Sequence, residues 1–223
     1  MHHLLDLAVD IPALLSQSDE LNAASAATLS AHERKVKQTA LWDGIADLTS
    51  RFLQWKQTYV DGYADGPPCE VPPTTPFSPS QTGKDSFPIF SCRNLLNGTV
   101  ITPSKFRFPD LRLAQSQCVY FATRLVLSTV DSRPPGEAVG PLDQYALACG
   151  ICRSIEWYIL TAPGNMINRL AFPVRVAWEV FPDGGPERRY MYEVLKVVER
   201  RHSLALWGSS MPELSPRRGS PPR

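Results

Sequence analysis

The sequence predicts an all-α fold, in which helices pack as an irregular bundle or as stacked pairs around a long proline-rich loop. Apolar residues recur every three or four positions over most of the chain, and no segment shows a strand-like alternation of convincing length. The 21 prolines cluster in segments that separate the periodic ones. We expect one helical, regulatory-like domain over residues 1–210 and a disordered tail over residues 211–223.

The sequence predicts two helical segments in the first part of the chain. Residues 4–22 form an amphipathic helix interrupted at Pro12, because proline lacks an amide donor and disfavours a helical predecessor. A longer helix begins at Ser30, which forms a capping box with Glu33, and extends to about residue 60. Its apolar face consists of Leu41, Ile45, Leu48, Phe52, Trp55 and Tyr59.

Residues 62–88 contain seven prolines and little that could pack, so we predict an extended or disordered loop there. A short apolar patch at 88–96 and a second loop lead to the next helix.

The second part of the chain predicts the central helices. A helix with Pro109 at its start has a nearly continuous apolar surface, and Pro141 opens the following helix. Pro163 and Gly164 end that helix, and Pro173 forces a kink or a fresh start in the segment 166–181. A last helix is predicted from Pro186 to Arg201.

Charge and composition exclude several classes of function. With 23 basic and 22 acidic residues the formal net charge is +1, so no overall field draws the chain to nucleic acid, and we expect no direct DNA binding. No apolar run approaches the length of a membrane span, so we expect no membrane association. Five cysteines without regular spacing, and a start unlike a secretory signal, favour an intracellular location.

Cys149 and Cys152 form a CxxC motif, which is typical of redox enzymes and of zinc sites. A redox pair needs its first cysteine near a helix N-terminus, whereas the helix that opens at Pro141 places Cys149 about two turns inside. A zinc site needs further ligands at short spacing, but the remaining cysteines stand alone and the four histidines are scattered. We therefore predict two buried apolar side chains, with a reactive pair as the alternative.

Motifs for catalysis are missing from the sequence. It contains no phosphate-binding glycine loop, no H-E-x-x-H, no nucleophile elbow and no paired carboxylates with a partner histidine. We therefore assign no catalytic, cofactor-binding or metal-binding residue and expect no enzyme. Arg153 and Glu156, three positions apart, are predicted to be a solvated pair on the polar face of their helix. The five tryptophans are predicted to pack in the core: Trp42, Trp55, Trp157, Trp178 and Trp207.

Five segments in order resemble the C-terminal regulatory region of fungal binuclear zinc-cluster transcription factors. They are "LDLAVDIPALLSQSDEL", "FPDLRLAQSQCVYFATRLVL", "ICRSIEWYI", "LAFPVRVAWEVF" and "ERRYMYEVLKVV". The resemblance covers most of residues 4–207 and implies a regulatory role in the nucleus. In that family an N-terminal cluster of six cysteines binds two zinc ions and reads DNA, and this sequence lacks that cluster. The chain is thus either part of a longer protein or a stand-alone regulator-like protein.

These observations favour a non-enzymatic helical regulatory module that acts through protein partners, self-association or a small-molecule effector. The alternatives are a thiol-dependent redox protein that uses the CxxC pair, and an adaptor whose segment "PPTTPFSP" docks as a polyproline helix. Ser78, Ser215 and Ser220 precede prolines and are candidate sites for proline-directed kinases. Phosphates in the tail would neutralise much of the charge of its arginines and would weaken any role of this basic stretch in nuclear import or in binding an acidic partner. The alternative is an inert, solvated tail.

Overall fold

The computed structural model describes residues 2–23, 29–77, 86–134 and 136–202. The chain is mainly helical, as predicted. The predicted tail 211–223 lies outside the described residues, and so do Trp207 and the candidate phosphorylation sites Ser78, Ser215 and Ser220.

The N-terminal helices are α1 (His2–Ala8), α2 (Ile11–Asn22) and α3 (Ala31–Lys56), and a π-helical turn (Gln57–Asp61) continues α3. The predicted break at Pro12 is confirmed, since Pro12 lies in the first turn of α2. The capping box is confirmed as well. The amide of Glu33 donates to Ser30 Oγ at 3.2 Å, and the amide of Ser30 donates to Glu33 Oε2 at 2.9 Å.

The central helices are α4 (Leu111–Thr129) and α5 (Pro141–Thr161), and a 3-10 helix (Gly164–Leu170) leads into α6 (Ala171–Val180) and α7 (Pro186–His202). α4 begins after Pro109 because Asp110 caps it, with its side chain accepting a hydrogen bond of 2.8 Å from the amide of Leu113. Pro173 lies in the first turn of α6, so the chain makes a fresh start there.

Four short strands form two antiparallel pairs between α3 and α4. They are β1 (Cys69–Val71), β2 (Cys92–Arg93), β3 (Val100–Ile101) and β4 (Lys105–Arg107). β1 pairs with β4, and β2 pairs with β3. The prediction of a purely helical chain is therefore wrong for this segment. A strand of two or three residues is too short to show a period of two, which is why the sequence gives no signal for it.

The described part of the proline-rich segment packs on the rest of the chain, contrary to the expectation of an unpacked loop. The ring of Phe77 lies 4.3 Å from the Lys105 ammonium. The Glu70 carboxylate of β1 accepts from the Ser104 hydroxyl and lies 2.9 Å from the Arg153 guanidinium. We call residues 69–107, apart from the undescribed 78–85, the covering segment, because its strands β4 and β2 contact α5 and α7.

The core is centred on α4, α5 and α6, which contact one another pairwise, while α3 joins α4 to the N-terminal helices. Fully buried side chains at its centre include Phe52, Ile155, Tyr158 and Phe181. Trp55, Trp157 and Trp178 are buried as predicted, whereas Trp42 is partly exposed and donates to Ser132. Among the described residues, none of the helices combines the length and apolar character that crossing a bilayer requires.

Candidate functional site

The CxxC cysteines lie in the middle of α5, about two turns from either end. The exposed fraction is 9% for Cys149 and 1% for Cys152, so the prediction of buried side chains is confirmed. Burial raises the pKa of Cys152 well above its usual value. Within the described part of the chain, no group of three or more histidine, cysteine or acidic side chains could hold a metal ion.

Cys149 interacts with a third cysteine that comes from β2. The interaction between the two thiols lowers the pKa of Cys92 and raises that of Cys149. Burial and the nearby carboxylate of Glu187 act in the opposite direction and raise the pKa of Cys92. Sequence spacing gave no indication of this contact, because the two cysteines belong to different elements far apart in the chain.

A buried carboxylate joins β2, α5 and α7 next to these thiols. Glu187, in the first turn of α7, has no exposed surface. Its Oε1 accepts from the amide of Arg93 at 2.6 Å and from the hydroxyl of Tyr145, and its Oε2 has no hydrogen-bond partner in the described structure. Burial and the bond to Glu187 raise the pKa of Tyr145, so this hydroxyl stays protonated as a donor. The N-terminal end of the α7 dipole favours the negative charge.

Arg153 and Glu156 are not the solvated pair that their spacing predicts. Glu156 is buried and forms an ion pair of 2.6 Å with Lys105, which is itself buried. Arg153 donates to the Ser104 carbonyl oxygen at 2.6 Å, and its guanidinium lies 4.0 Å from the centre of the Phe106 ring. The covering segment therefore packs on the polar face of α5, and this face is an internal contact.

An apolar cleft opens on another side of α5, where it meets α4 and α6. Its volume is about 560 Å³, within the range of roughly 300–1,000 Å³ typical of small-molecule sites. The walls are mostly aliphatic and are formed by Leu125 and Val126 of α4, Pro141 of α5, and Val176 and Val180 of α6. Leu95 of the β2–β3 hairpin forms part of the rim.

The polar groups of the cleft are mostly engaged within the fold. The hydroxyls of Ser128 and Thr129 donate to carbonyl oxygens of their own helix at 2.6 and 2.7 Å. Gln144 donates to the Ser128 carbonyl oxygen at 3.5 Å. At the rim, Arg175 and Glu179 of α6 form an exposed ion pair of 2.6 Å. The cleft therefore offers apolar contact inside and one pair of charges at its mouth.

The β2–β3 hairpin extends this apolar surface beyond the cleft. Leu96, next to the rim residue Leu95, has 86% of its surface exposed, and Val100 of β3 has 61%. Large apolar residues that remain exposed close together often mark a surface for another molecule.

Comparisons with protein-family models, with curated proteins and with solved structures found no match. The description of the site therefore depends on the chain's own geometry.

Sequence reasoning did not find the cleft. Its aliphatic residues show the same helical spacing as core residues. They differ from core residues because no other part of the fold covers them, and the residue type does not reveal this. A weak signal was available at Thr129 and Pro141, which flank the break between α4 and α5, because an interrupted pair of apolar helices leaves a gap at the connection.

Proposed function

We propose that the chain is a non-enzymatic helical regulatory module that binds a small, mostly apolar effector in the cleft between α4, α5 and α6. The observation that carries this proposal is the cleft itself, with its volume of about 560 Å³ and its aliphatic walls. A ligand of this kind gains affinity by removing apolar surface from water, at about 25 cal/mol per Å². The ion pair of Arg175 and Glu179 lies where a polar end of the ligand would leave the cleft.

The proposal includes a route from the effector to a protein partner. Helices α4, α5 and α6, arranged as an irregular bundle, contact the ligand together with Leu95 of the β2–β3 hairpin. A ligand that binds one arrangement of these elements more tightly than another shifts the population toward it. The exposed Leu96 and Val100 then present a changed apolar surface to a partner or to a second copy.

The nuclear location, the family and the absence of direct DNA contact remain part of this proposal and are supported by the sequence resemblance described above. The alternatives have weaker support. Cys149 and Cys152 have raised pKa values, which disfavours either cysteine as the thiolate that first attacks a substrate. Docking of the proline-rich segment on another protein would compete with the contacts of Glu70 and Phe77 to the rest of the chain.

The proposal is tested by titration with 8-anilinonaphthalene-1-sulfonate, an apolar fluorophore with one charged group. We expect saturable binding at one site and a raised melting temperature, because a ligand that binds the folded state stabilises it. The variant Val126→Phe/Val176→Phe fills the cleft and should lose this binding while its circular dichroism stays helical. Val36→Phe, on an exposed face of α3, is the matched control and should bind like the parent. Unchanged binding by the filled variant, or no saturable binding by the parent, would overturn the proposal.

A further inference from the structure

Three buried cysteines lie in the region where Arg93 of β2 is hydrogen-bonded to Tyr145 of α5. Cys92 comes from β2, and Cys149 and Cys152 come from successive turns of α5. Of these, Cys92 and Cys149 lie nearest the surface, with 5% and 9% exposed, whereas Cys152 has 1%. An oxidant the size of water therefore has better access to the first two than to the third.

Hydrogen bonds from a β2 amide to side chains of α5 and α7 hold β2 near α5 at this point. The amide of Arg93, directly after Cys92, donates to Tyr145 Oη at 2.8 Å and to Glu187 Oε1 at 2.6 Å. Tyr145 lies one helical turn before Cys149, so the same stretch of α5 faces both Arg93 and Cys92. The effect of each thiol on the pKa of the other agrees with this placement.

The geometry of a regular helix disfavours the other pairing, between Cys149 and Cys152. Residues three apart on a helix have Cβ atoms about 5–6 Å apart, whereas a disulfide needs a separation of roughly 3.5–4.5 Å. Closing that gap in the middle of α5 would distort a helix that is packed on α4 and α6. Cys92 lies in a two-residue strand, which can shift at lower cost.

We propose that Cys92 and Cys149 are a modification site, at which a hydroperoxide oxidises the two thiols to a disulfide that joins β2 to α5. This inference is independent of the effector proposed for the cleft. The reactive partner of Cys149 is then Cys92 of β2, and not Cys152, the second cysteine of the CxxC motif.

The chemistry takes place in two steps. The Cys92 thiolate attacks one oxygen of hydrogen peroxide, the O–O bond breaks, and the departing hydroxide takes up a proton to give water and a Cys92 sulfenic acid. The sulfur of Cys149 then attacks the Cys92 sulfur, and the S–O bond breaks. The hydroxyl leaves with the proton of Cys149 as a second water. Two electrons pass from the thiol pair to one peroxide, which is reduced to two waters.

The cross-link would connect the thiols to the apolar surface of the hairpin. Leu95, at the rim of the cleft, lies three residues after Cys92, and Tyr145 lines the cleft one turn before Cys149. A covalent bond between these elements restricts the hairpin against α5 and closes a long loop of chain. We therefore expect the oxidised protein to melt roughly 5–15 °C higher than the reduced one.

The experiment uses the full chain with Cys69, which is exposed, replaced by alanine to prevent links between molecules. The folded protein is treated with hydrogen peroxide, remaining thiols are blocked with a maleimide, and a peptic digest at low pH is analysed by mass spectrometry. We expect a disulfide-linked peptide that joins Cys92 to Cys149, and its reversal by dithiothreitol together with the shift in melting temperature.

Single variants make the assignment specific. Cys152→Ala should retain the linked peptide, whereas Cys92→Ala and Cys149→Ala should lose it. If one of these single variants folds poorly, the digest of the protein that retains Cys92, Cys149 and Cys152 still identifies which two cysteines are linked. A link between Cys149 and Cys152, or sulfinic acid at Cys92 with no link, or no oxidation of either thiol, would overturn the proposal.

Discussion

Gly150 of α5 faces the ring of Phe121 on α4 so closely that a methyl group on Gly150 would lie 2.8 Å from Cε2 of the ring. The glycine inside the CxxC motif is thus the point at which α4 and α5 approach each other. This contact gives the motif a packing role: the small residue between the two cysteines allows the helices to meet, and the cysteines on either side fill the adjacent space as buried side chains.

The contact predicts that the effect of Gly150→Ala on stability depends on whether the Phe121 ring is present. In a Phe121→Ala background, where the ring is absent, the substitution should stabilise the protein by about 0.5–1 kcal/mol, because alanine favours the helix over glycine. In the parent, displacement of the Phe121 ring should cancel or reverse that gain. Urea unfolding of the four proteins gives the coupling energy of the cycle. Equal effects in both backgrounds would contradict the close approach.

The buried Cys118 predicts a loss of stability at alkaline pH. Burial raises the pKa of this thiol from 9.0 to about 12, and a hydrogen bond with Ser154 partly offsets the increase. In the unfolded chain the thiol ionises near its usual pKa. The stability that the protonated thiol gives the folded state is therefore fully present below pH 9 and is lost as the pH rises toward 12. Each pH unit in this window should cost about 1.4 kcal/mol for one such group.

Unfolding in urea at several pH values with a reducing agent measures this effect. Cys118→Ala should show a shallower decline between pH 9 and 11, even though it starts from lower stability at pH 7.5 because a buried atom is lost. Cys69→Ala removes an exposed thiol and should decline like the parent. A decline in Cys118→Ala as steep as that of the parent would show that Cys118 does not contribute.

The helix starts could be predicted because the interactions that set them span a few residues. Ser30 meets Glu33 within one turn, and Pro12 and Pro141 remove donors that a first turn does not need. The pairing of β1 with β4 instead brings together residues distant in sequence, such as Glu70 and Phe106, which lie opposite each other. No local pattern encodes such a contact.

The prediction that Arg153 and Glu156 are solvated is wrong for a related reason. Their spacing gives α5 a polar face, which in an isolated helix would be solvated. Lys105 and Ser104 of the covering segment supply the partners that allow this face to be buried. A polar helix face is therefore compatible with either environment, and the choice depends on a segment whose own sequence predicts little structure.

The purified chain should show no base-sequence preference for duplex DNA at physiological salt. Its formal net charge is only +1, and a weak overall field gives little of the phosphate attraction on which DNA binding depends. A gel shift with specific and nonspecific competitor duplexes measures this. A complex that resists nonspecific competitor but yields to its own sequence would contradict the prediction.

The ion pair of Lys105 and Glu156 should be costly to break from one side. Its atoms are 2.6 Å apart and both residues are buried, so Lys105→Met removes the cation that faces a buried carboxylate and should lose about 3–5 kcal/mol of unfolding free energy. The double variant Lys105→Met/Glu156→Leu should recover most of that loss, because neither charge of this pair remains. Glu193→Gln, in an exposed pair with Lys196, is the matched control and should change stability by less than about 1 kcal/mol. Urea unfolding at neutral pH measures all three, and a Lys105→Met variant as stable as the control would contradict this prediction.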